Sequence, residues 1–333
     1  MRKRLLSMFY ALSYYLGIIA FFYWINRKKQ RVLVYHNVIP DQLWDDTFHL
    51  VTSIRESTFR KHLALISKRF RFSGRLDERG TVMFTFDDGY RCARIAAGVL
   101  EEYSTTGLFF MPVDNIGSER PLWIDKIMLW FSYVPDDVYE IGGTRYSLTS
   151  REERAIGYTN YCNRMYEEYR LYTPLLWLEE LDAFYPFRFL YGNIPMELYS
   201  LRFTGLSVGE ISILKERGHK FGGHSSHHDI LSLLDRDELR DDFIRSSDLV
   251  TRDVVNTAIY AYPFGHFRDV SPEVIAECEK SMYTHAFMNE DVKSPTPYTR
   301  PRLNLGNSFN RYELEARLSG YHQFLKNIYI WTL

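Results

Sequence analysis

Apolar and polar positions alternate along the chain in a way that predicts short buried strands separated by amphipathic helices. Thr81-Val82-Met83-Phe84-Thr85-Phe86 alternates β-branched and aromatic residues and reads as a buried strand. Val32 to Tyr35 reads the same way, with His36 at its end. Between the two runs, Ser57 to Phe70 places Phe59, Leu63, Ile66 and Phe70 on one helical face, which completes a β-α-β unit. A helix is expected from Gly89 to about Tyr103 and a strand over 106–113. Further along, Ser207 caps a helix with Glu210 three residues on and Gly218 at its end, and this helix leads into a strand over 219–223. An amphipathic helix over 235–250, a late strand over 283–287, and a closing helix from Phe309 to Ile328 with His322 on its surface complete the series.

Two stretches depart from this rhythm. Leu5 to Ile25 is an apolar run of about the length that crosses a bilayer as a helix, bracketed by Arg2-Lys3-Arg4 and by Arg27, Lys28, Lys29 and Arg31. No small-residue cleavage site follows it. Its tyrosines and Trp24 suit the headgroup region, so a spanning anchor and a helix lying in the interface both fit. Membrane association through residues 5–25 is expected, and cations on both flanks leave the side of the membrane open. The second departure is the stretch from about 115 to 203, helix-rich and crowded with aromatics including Trp123, Trp130 and Trp177. It reads as an insertion, a lid or acceptor-recognition subdomain. The organisation is thus an N-terminal membrane-associated helix over 1–30 and one domain over 31–333 containing that insertion.

Composition narrows the function classes. A hydrophobic content of 46% and a charged content of 25% are those of an ordinary globular protein. A formal net charge of −1 without a basic stripe gives no footprint for nucleic acid. The three cysteines are widely spaced and form no C-x-x-C pair, so they read as small buried residues rather than a disulfide framework or zinc site. Aromatic side chains are abundant, at 25 Tyr and 23 Phe, and suit stacking on sugar rings as well as packing a core.

The candidate chemistry lies at strand ends. Asp87-Asp88-Gly89 stands where its strand runs out, the end at which α/β sheets place their chemistry, and adjacent carboxylates on extended backbone point different ways. A plain turn is the alternative. Gly222-Gly223-His224-Ser225-Ser226-His227-His228 then offers imidazoles beside a flexible Gly pair. One carboxylate with two imidazoles is a ligand set suited to Zn²⁺ with positions left open. Here the sequence resembles the polysaccharide deacetylase family (NodB homology, carbohydrate esterase 4). Its T-F-D-D-G motif is matched by Thr85–Gly89 and its H-[ST]-x-x-H motif by His224–His228, whose register selects His224 and His228 and leaves His227 a spectator. Ala258 to Gly265 resembles the family's next motif in the subgroup reading Y-P-[FY]-G.

The resemblance implies a distorted (β/α)7 barrel over about residues 30–310. It implies a divalent metal, Zn foremost, held by Asp88, His224 and His228, with Asp87 as general base and the Phe264 N–H helping to hold an oxyanion. Many members carry an Arg at the start of the third motif that orients the catalytic Asp. That Arg is missing here, and Arg302 is the candidate replacement. The family's L-x-x-H general acid is also missing, leaving His285, His36 and His266 as candidates. Tyr262, His36 and Asp125, the last in a W-x-D seen in longer relatives, are candidates for substrate contact, with a helix cap as the plainer role of Asp125.

The expected reaction is removal of N-acetyl groups from amino sugars of a polysaccharide or lipid-linked glycan, at a bacterial cell membrane and alongside polysaccharide biosynthesis machinery. Two other readings fit the same residues. One is a metal hydrolase of the same fold acting on another amide or ester. The other is a non-catalytic glycan-binding or membrane-tethered scaffold protein.

Overall fold

The computed structural model describes residues 2–44, 46, 50–168, 174–307 and 309–328. One curved sheet holds nine parallel strands among the described residues, the two-residue Arg71–Phe72 beside its main path and eight along it: β1 (Arg31–Tyr35), β2 (Thr81–Phe86), β3 (Gly107–Met111), β4 (Lys220–Gly223), β5 (Ile259–Ala261), β6 (His285–Met288), β7 (Arg300–Pro301) and β8 (Leu303–Asn304). They run in the order β7-β6-β5-β4-β3-β2-β1-β8. The two edges of this sheet are one stretch of chain, because only Arg302 separates β7 from β8. Phe287 pairs with Arg300 on one side and Leu33 with Leu303 on the other. The sheet is therefore a nearly closed barrel, seven-stranded when the final stretch is counted once, as the resemblance implied.

Strand periodicity decides which side chains enter the barrel. Val32, Met83, Leu108, Phe110, Ala261 and Phe287 form one buried cluster inside it. The alternate positions Leu33, Tyr35, Phe84, Phe86 and Phe109 pack outward against Phe59, Leu63 and Ile66 of the helix Glu56–Ile66 and against the helix Ala93–Glu102. The same parity carries His36, Thr85, Asp87 and Asn289 inward at the strands' carboxyl ends. The helix Val208–Glu216 has the expected capping box, Ser207 with Glu210, and a second box joins Asp235 to Glu238 at the start of Arg236–Thr251.

Gly222 and Gly223 serve close packing rather than flexibility. A Cβ at Gly222 would meet the Ile259 carbonyl oxygen at 2.3 Å, and one at Gly223 the Tyr283 hydroxyl at 2.0 Å.

The insertion leaves the barrel after β3. It contains the helices Trp123–Tyr133, Arg151–Glu168, Pro174–Phe184 and Met196–Arg202, packed around Trp130, Phe131, Tyr161, Trp177 and Leu181. It also contains an antiparallel hairpin, Val138–Ile141 with Thr144–Ser147, turned by Gly142-Gly143 with both φ values positive. The helical reading missed this hairpin, whose short exposed strands carry little apolar alternation.

The expected single N-terminal helix is two, Arg2–Tyr15 and Ile18–Ile25, broken at Gly17 in the left-handed region and bent by 72°. The closing helix is likewise broken, at Gly320, into Arg311–Ser319 and Tyr321–Ile328. The two pairs pack on each other through Tyr10, Ile19, Phe22, Ala316, Tyr321 and Leu325. His322 belongs to this contact and not to the open surface. The Tyr10 hydroxyl meets its Nδ1 at 2.5 Å, and burial lowers its pKa to about 4.

Candidate metal centre and active site

The carboxyl ends of the strands bring together what the sequence separates by about 140 positions. Asp88, His224 and His228 converge with their ligand atoms within 4.8 Å of one another. Asp88 Oδ1 lies 3.5 Å from His224 Nε2 and 3.2 Å from His228 Nε2, and all three side chains are buried. Oδ1 has no hydrogen-bond partner among the described residues. An orphaned, buried carboxylate oxygen facing two imidazole nitrogens is a donor set that could hold a divalent cation, at a spacing compatible with zinc–ligand bonds of about 2.0–2.2 Å.

The surrounding contacts hold these ligands in place. His224 Nδ1–H donates to the Ala261 carbonyl at 2.6 Å, which leaves the Nε2 lone pair free for a metal. The Asp88 carbonyl accepts from Asn115 Nδ2 at 2.6 Å, and the His228 carbonyl from Trp123 Nε1 at 3.1 Å. Asp242 Oδ1 accepts from the Ser226 N–H and the Ser225 hydroxyl at 2.7 and 2.9 Å, fixing the loop between the two histidines. Asp88 and His228 both have positive φ, 73° and 62°, so backbone strain is concentrated at the ligands. His227 points away, held by Asp114 and by Arg245, whose guanidinium donates to its Nε2 at 2.5 Å.

Asp87 faces the barrel interior and is gripped by Arg302. Two hydrogen bonds of 2.6 and 2.7 Å run from the guanidinium to the two carboxylate oxygens, and both residues are 3% exposed. Arg302 also donates to Thr85 Oγ1 and to Asn289 Oδ1, at 3.2 and 2.7 Å. Burial pushes the Asp87 carboxyl up, but Arg302 and then His224 outweigh it and hold its pKa below the usual carboxylate range. Burial also works against ionised Asp88, and the facing imidazoles of His224 and His228 bring its pKa well below that range.

Phe264 sits in the left-handed region at φ 58°, with Gly265 next to it at 70°. Among the described residues its N–H has no acceptor, and its ring stacks edge-on to His228 at 4.9 Å. The Phe264 carbonyl accepts from Asn289 Nδ2 at 2.9 Å. One Asn side chain thus ties the Phe264 turn to the guanidinium that holds Asp87. Asn289 escaped the sequence reading, since a lone Asn after a strand carries no signal beyond the parity that turns it inward.

Two expected site residues lie elsewhere, and a third lies beside the site but is tied up by an ion pair. His285 pairs with Ile259 at the amino ends of the strands, among Arg300 and Asp77, and is too low in the barrel to reach the metal centre. Tyr262 shares the outward parity of Tyr260. It is fully buried against Val274 and Cys278, with its hydroxyl on the Tyr298 carbonyl at 3.1 Å, so it offers nothing to a substrate. Asp125 is neither a cap nor free. It is buried in the first turn of Trp123–Tyr133, accepts from Arg202 at 3.0 and 3.2 Å and from the Tyr90 hydroxyl, and burial raises its pKa against the pull of Arg202.

His36 does lie at the site. The inward parity of its strand puts it at the barrel end that carries Asp87, and it lines a cavity of 520 Å³ with Trp44, Ser53, Arg151 and Asn304. His266 stands exposed beyond Gly265, 3.7 Å from Glu290. From the insertion, Trp123 and Tyr166 pack on Phe264, so the insertion walls the site.

No family model and no curated protein matches the sequence. The likeness lies in three dimensions. A polysaccharide deacetylase from Bacillus cereus matches 88% of this chain and 69% of its own length, at a TM-score of 0.52 and 15% identity. The Streptococcus pyogenes deacetylase PplD, solved in complex with acetate, matches 86% of this chain and 96% of its own, at a TM-score of 0.51 and 12% identity. The chain has the fold of the polysaccharide deacetylases.

Proposed function

We propose that the protein is a metal-dependent hydrolase that removes N-acetyl groups from amino sugars of a polysaccharide or lipid-linked glycan. The observation that carries this reading is the buried Asp88–His224–His228 cluster, with a neighbouring carboxylate, Asp87, left out of it and held by Arg302. The donor set fits one divalent ion, with zinc favoured by its two imidazoles. Bound there, the ion would supply Lewis-acid polarisation of an acetyl carbonyl and acidification of a water.

The chain's own residues supply the rest. Asp87 is fixed in orientation by two bonds from Arg302 and is ionised at neutral pH, so it is ready to take a proton from the attacking water. The unpaired Phe264 N–H is directed by its strained turn and by Asn289, and it offers a donor to the oxygen on which charge develops. His36, at the cavity rim with Trp44, is placed to bind the sugar or to protonate the departing nitrogen. Trp123, Tyr166 and Phe264 form an apolar wall suited to exclude water and to accept an acetyl methyl.

The test is acetate release by the metal-loaded full chain from a panel of polymeric and lipid-linked N-acetylhexosamines. Release that is lost in His36→Gln and Asp87→Asn supports the reading. A fully metal-loaded protein that releases acetate from none of them, but hydrolyses another amide or ester, replaces it with a hydrolase of the same fold.

A further inference from the structure

We propose that the two N-terminal helices dock the protein in the plane of an anionic lipid surface, lying on it rather than crossing it. No single helix among the described residues is long and apolar enough to span a bilayer. The candidate is the pair Leu5–Tyr15 and Ile18–Ile25, bent by 72°. Spanning would require this pair to straighten at Gly17 and to leave the C-terminal helices. It would then uncover Tyr10 and Ile19, each 1% exposed. It would also break the bonds from the Tyr10 hydroxyl to His322, from Ser13 to the Tyr321 hydroxyl, from the Tyr23 hydroxyl to Glu315 and from Asn26 to the Ser319 carbonyl. Docking in the plane leaves every one of these contacts intact.

The opposite face is built for that arrangement. Leu5, Met8, Leu12 and Leu16 recur at helical spacing on one side and are 57–68% exposed. Phe21 and Trp24 continue the apolar surface on the second helix, at 56% and 61% exposure. Phe22 brings in the C-terminal helix, because its ring meets Phe324 at 4.9 Å, and Phe324 and Ile328 are exposed beside it. Large apolar side chains thus stand exposed on three helices that pack on one another, more than the scattered exposure of a soluble face.

Charge selects the occupant. Arg27, Lys28 and Lys29 stand exposed at the end of the second helix, and Lys326 is exposed on the neighbouring one. A second copy meeting this face would set cations against cations, whereas phosphate headgroups complement them.

The experiment is flotation of the purified full chain with vesicles of equal parts phosphatidylcholine and phosphatidylglycerol, and with vesicles of phosphatidylcholine alone. Arg27, Lys28 and Lys29 at the helix end contribute about 1 kcal/mol each near an anionic surface, so affinity should be roughly 100-fold higher for the anionic vesicles. Alkaline carbonate should release the bound protein. Leu12→Asp and Trp24→Ser each replace an exposed side chain, should leave the urea unfolding midpoint unchanged, and should abolish flotation. Retention through carbonate would overturn the proposal in favour of a spanning segment. Undiminished flotation of both variants would remove the face from the interaction. Failure to float, together with a dimer that Leu12→Asp dissociates, would assign the face to a second copy of the chain.

Discussion

Replacing Arg302 by Gln tests whether Asp87 is held ionised by that guanidinium. The substitution removes the two bonds of 2.6 and 2.7 Å to Asp87, where both partners are 3% exposed, and the bonds to Thr85 and Asn289. Breaking a buried ion pair from one side costs about 3–5 kcal/mol, because the remaining charge is left without compensation. Here the charge has an escape, since a carboxyl can take up a proton.

The sign follows from the direction of the shift. In the wild type the Asp87 pKa is lowered, so the pair stabilises the fold above the unfolded carboxyl value of 3.8 and stops doing so as pH falls through the folded value. In the variant burial is opposed by His224 without Arg302, the pKa moves up, and stability falls with rising pH by at most about 1.4 kcal/mol per unit. Urea unfolding of both proteins at pH 6 and pH 8 should show a larger deficit at pH 8, and the acidic limb of acetate release should move to higher pH. A deficit below about 1 kcal/mol at both pH values, with an unmoved acidic limb, would refute the reasoning.

Other substitutions probe the supports around the site. Asn289→Ala releases both the Phe264 carbonyl and the Arg302 guanidinium, and should lower kcat about 10–100-fold with little change in KM or metal content. Burial raises the Asp242 carboxyl to about 6, against the Ser226 N–H and Ser225 hydroxyl. Its contribution to stability is complete below pH 3.8 and is lost as pH rises through about 6. Asp242→Asn keeps an acceptor for both donors and should flatten that decline, improving relative to the wild type between pH 5 and pH 7.5 in urea titrations by about 1–2 kcal/mol. Gly205→Ala would set a Cβ 1.5 Å from the carbonyl oxygen of Asn115, the residue that holds the Asp88 backbone. It should cost at least about 3 kcal/mol in thermal unfolding and weaken metal retention with it.

Local patterns in the sequence were enough for five of the barrel's strands, the Ser207 cap and the helix-rich stretch after the third strand, because each rests on residues near one another in the chain, but not for the short strands at 259–261 and 300–304. The candidate metal cluster was legible for a related reason, since it rests on the spacing within two short motifs. What the sequence left out depends on direction and depth. Tyr262 and Phe264 are two residues apart, yet one turns into the outer core while a left-handed backbone brings the other to the site. His285 shares the inward parity of the active residues but sits at the far end of its strand. The bends at Gly17 and Gly320 interrupt apolar patterns that read as continuous, because the pattern records which face is buried and not where the axis turns. Asp125 and Arg202 are 77 positions apart, and no local pattern pairs them.

The account's central claim is that Asp88 holds a metal while Asp87, one residue away, handles a proton without binding it. Metal content and acetate release measured together on Asp87→Asn and Asp88→Asn test this most directly. The account predicts that Asp87→Asn keeps one divalent ion per chain and loses turnover, whereas Asp88→Asn loses both. Equal loss of metal in the two variants, or undiminished turnover in Asp87→Asn, would contradict it.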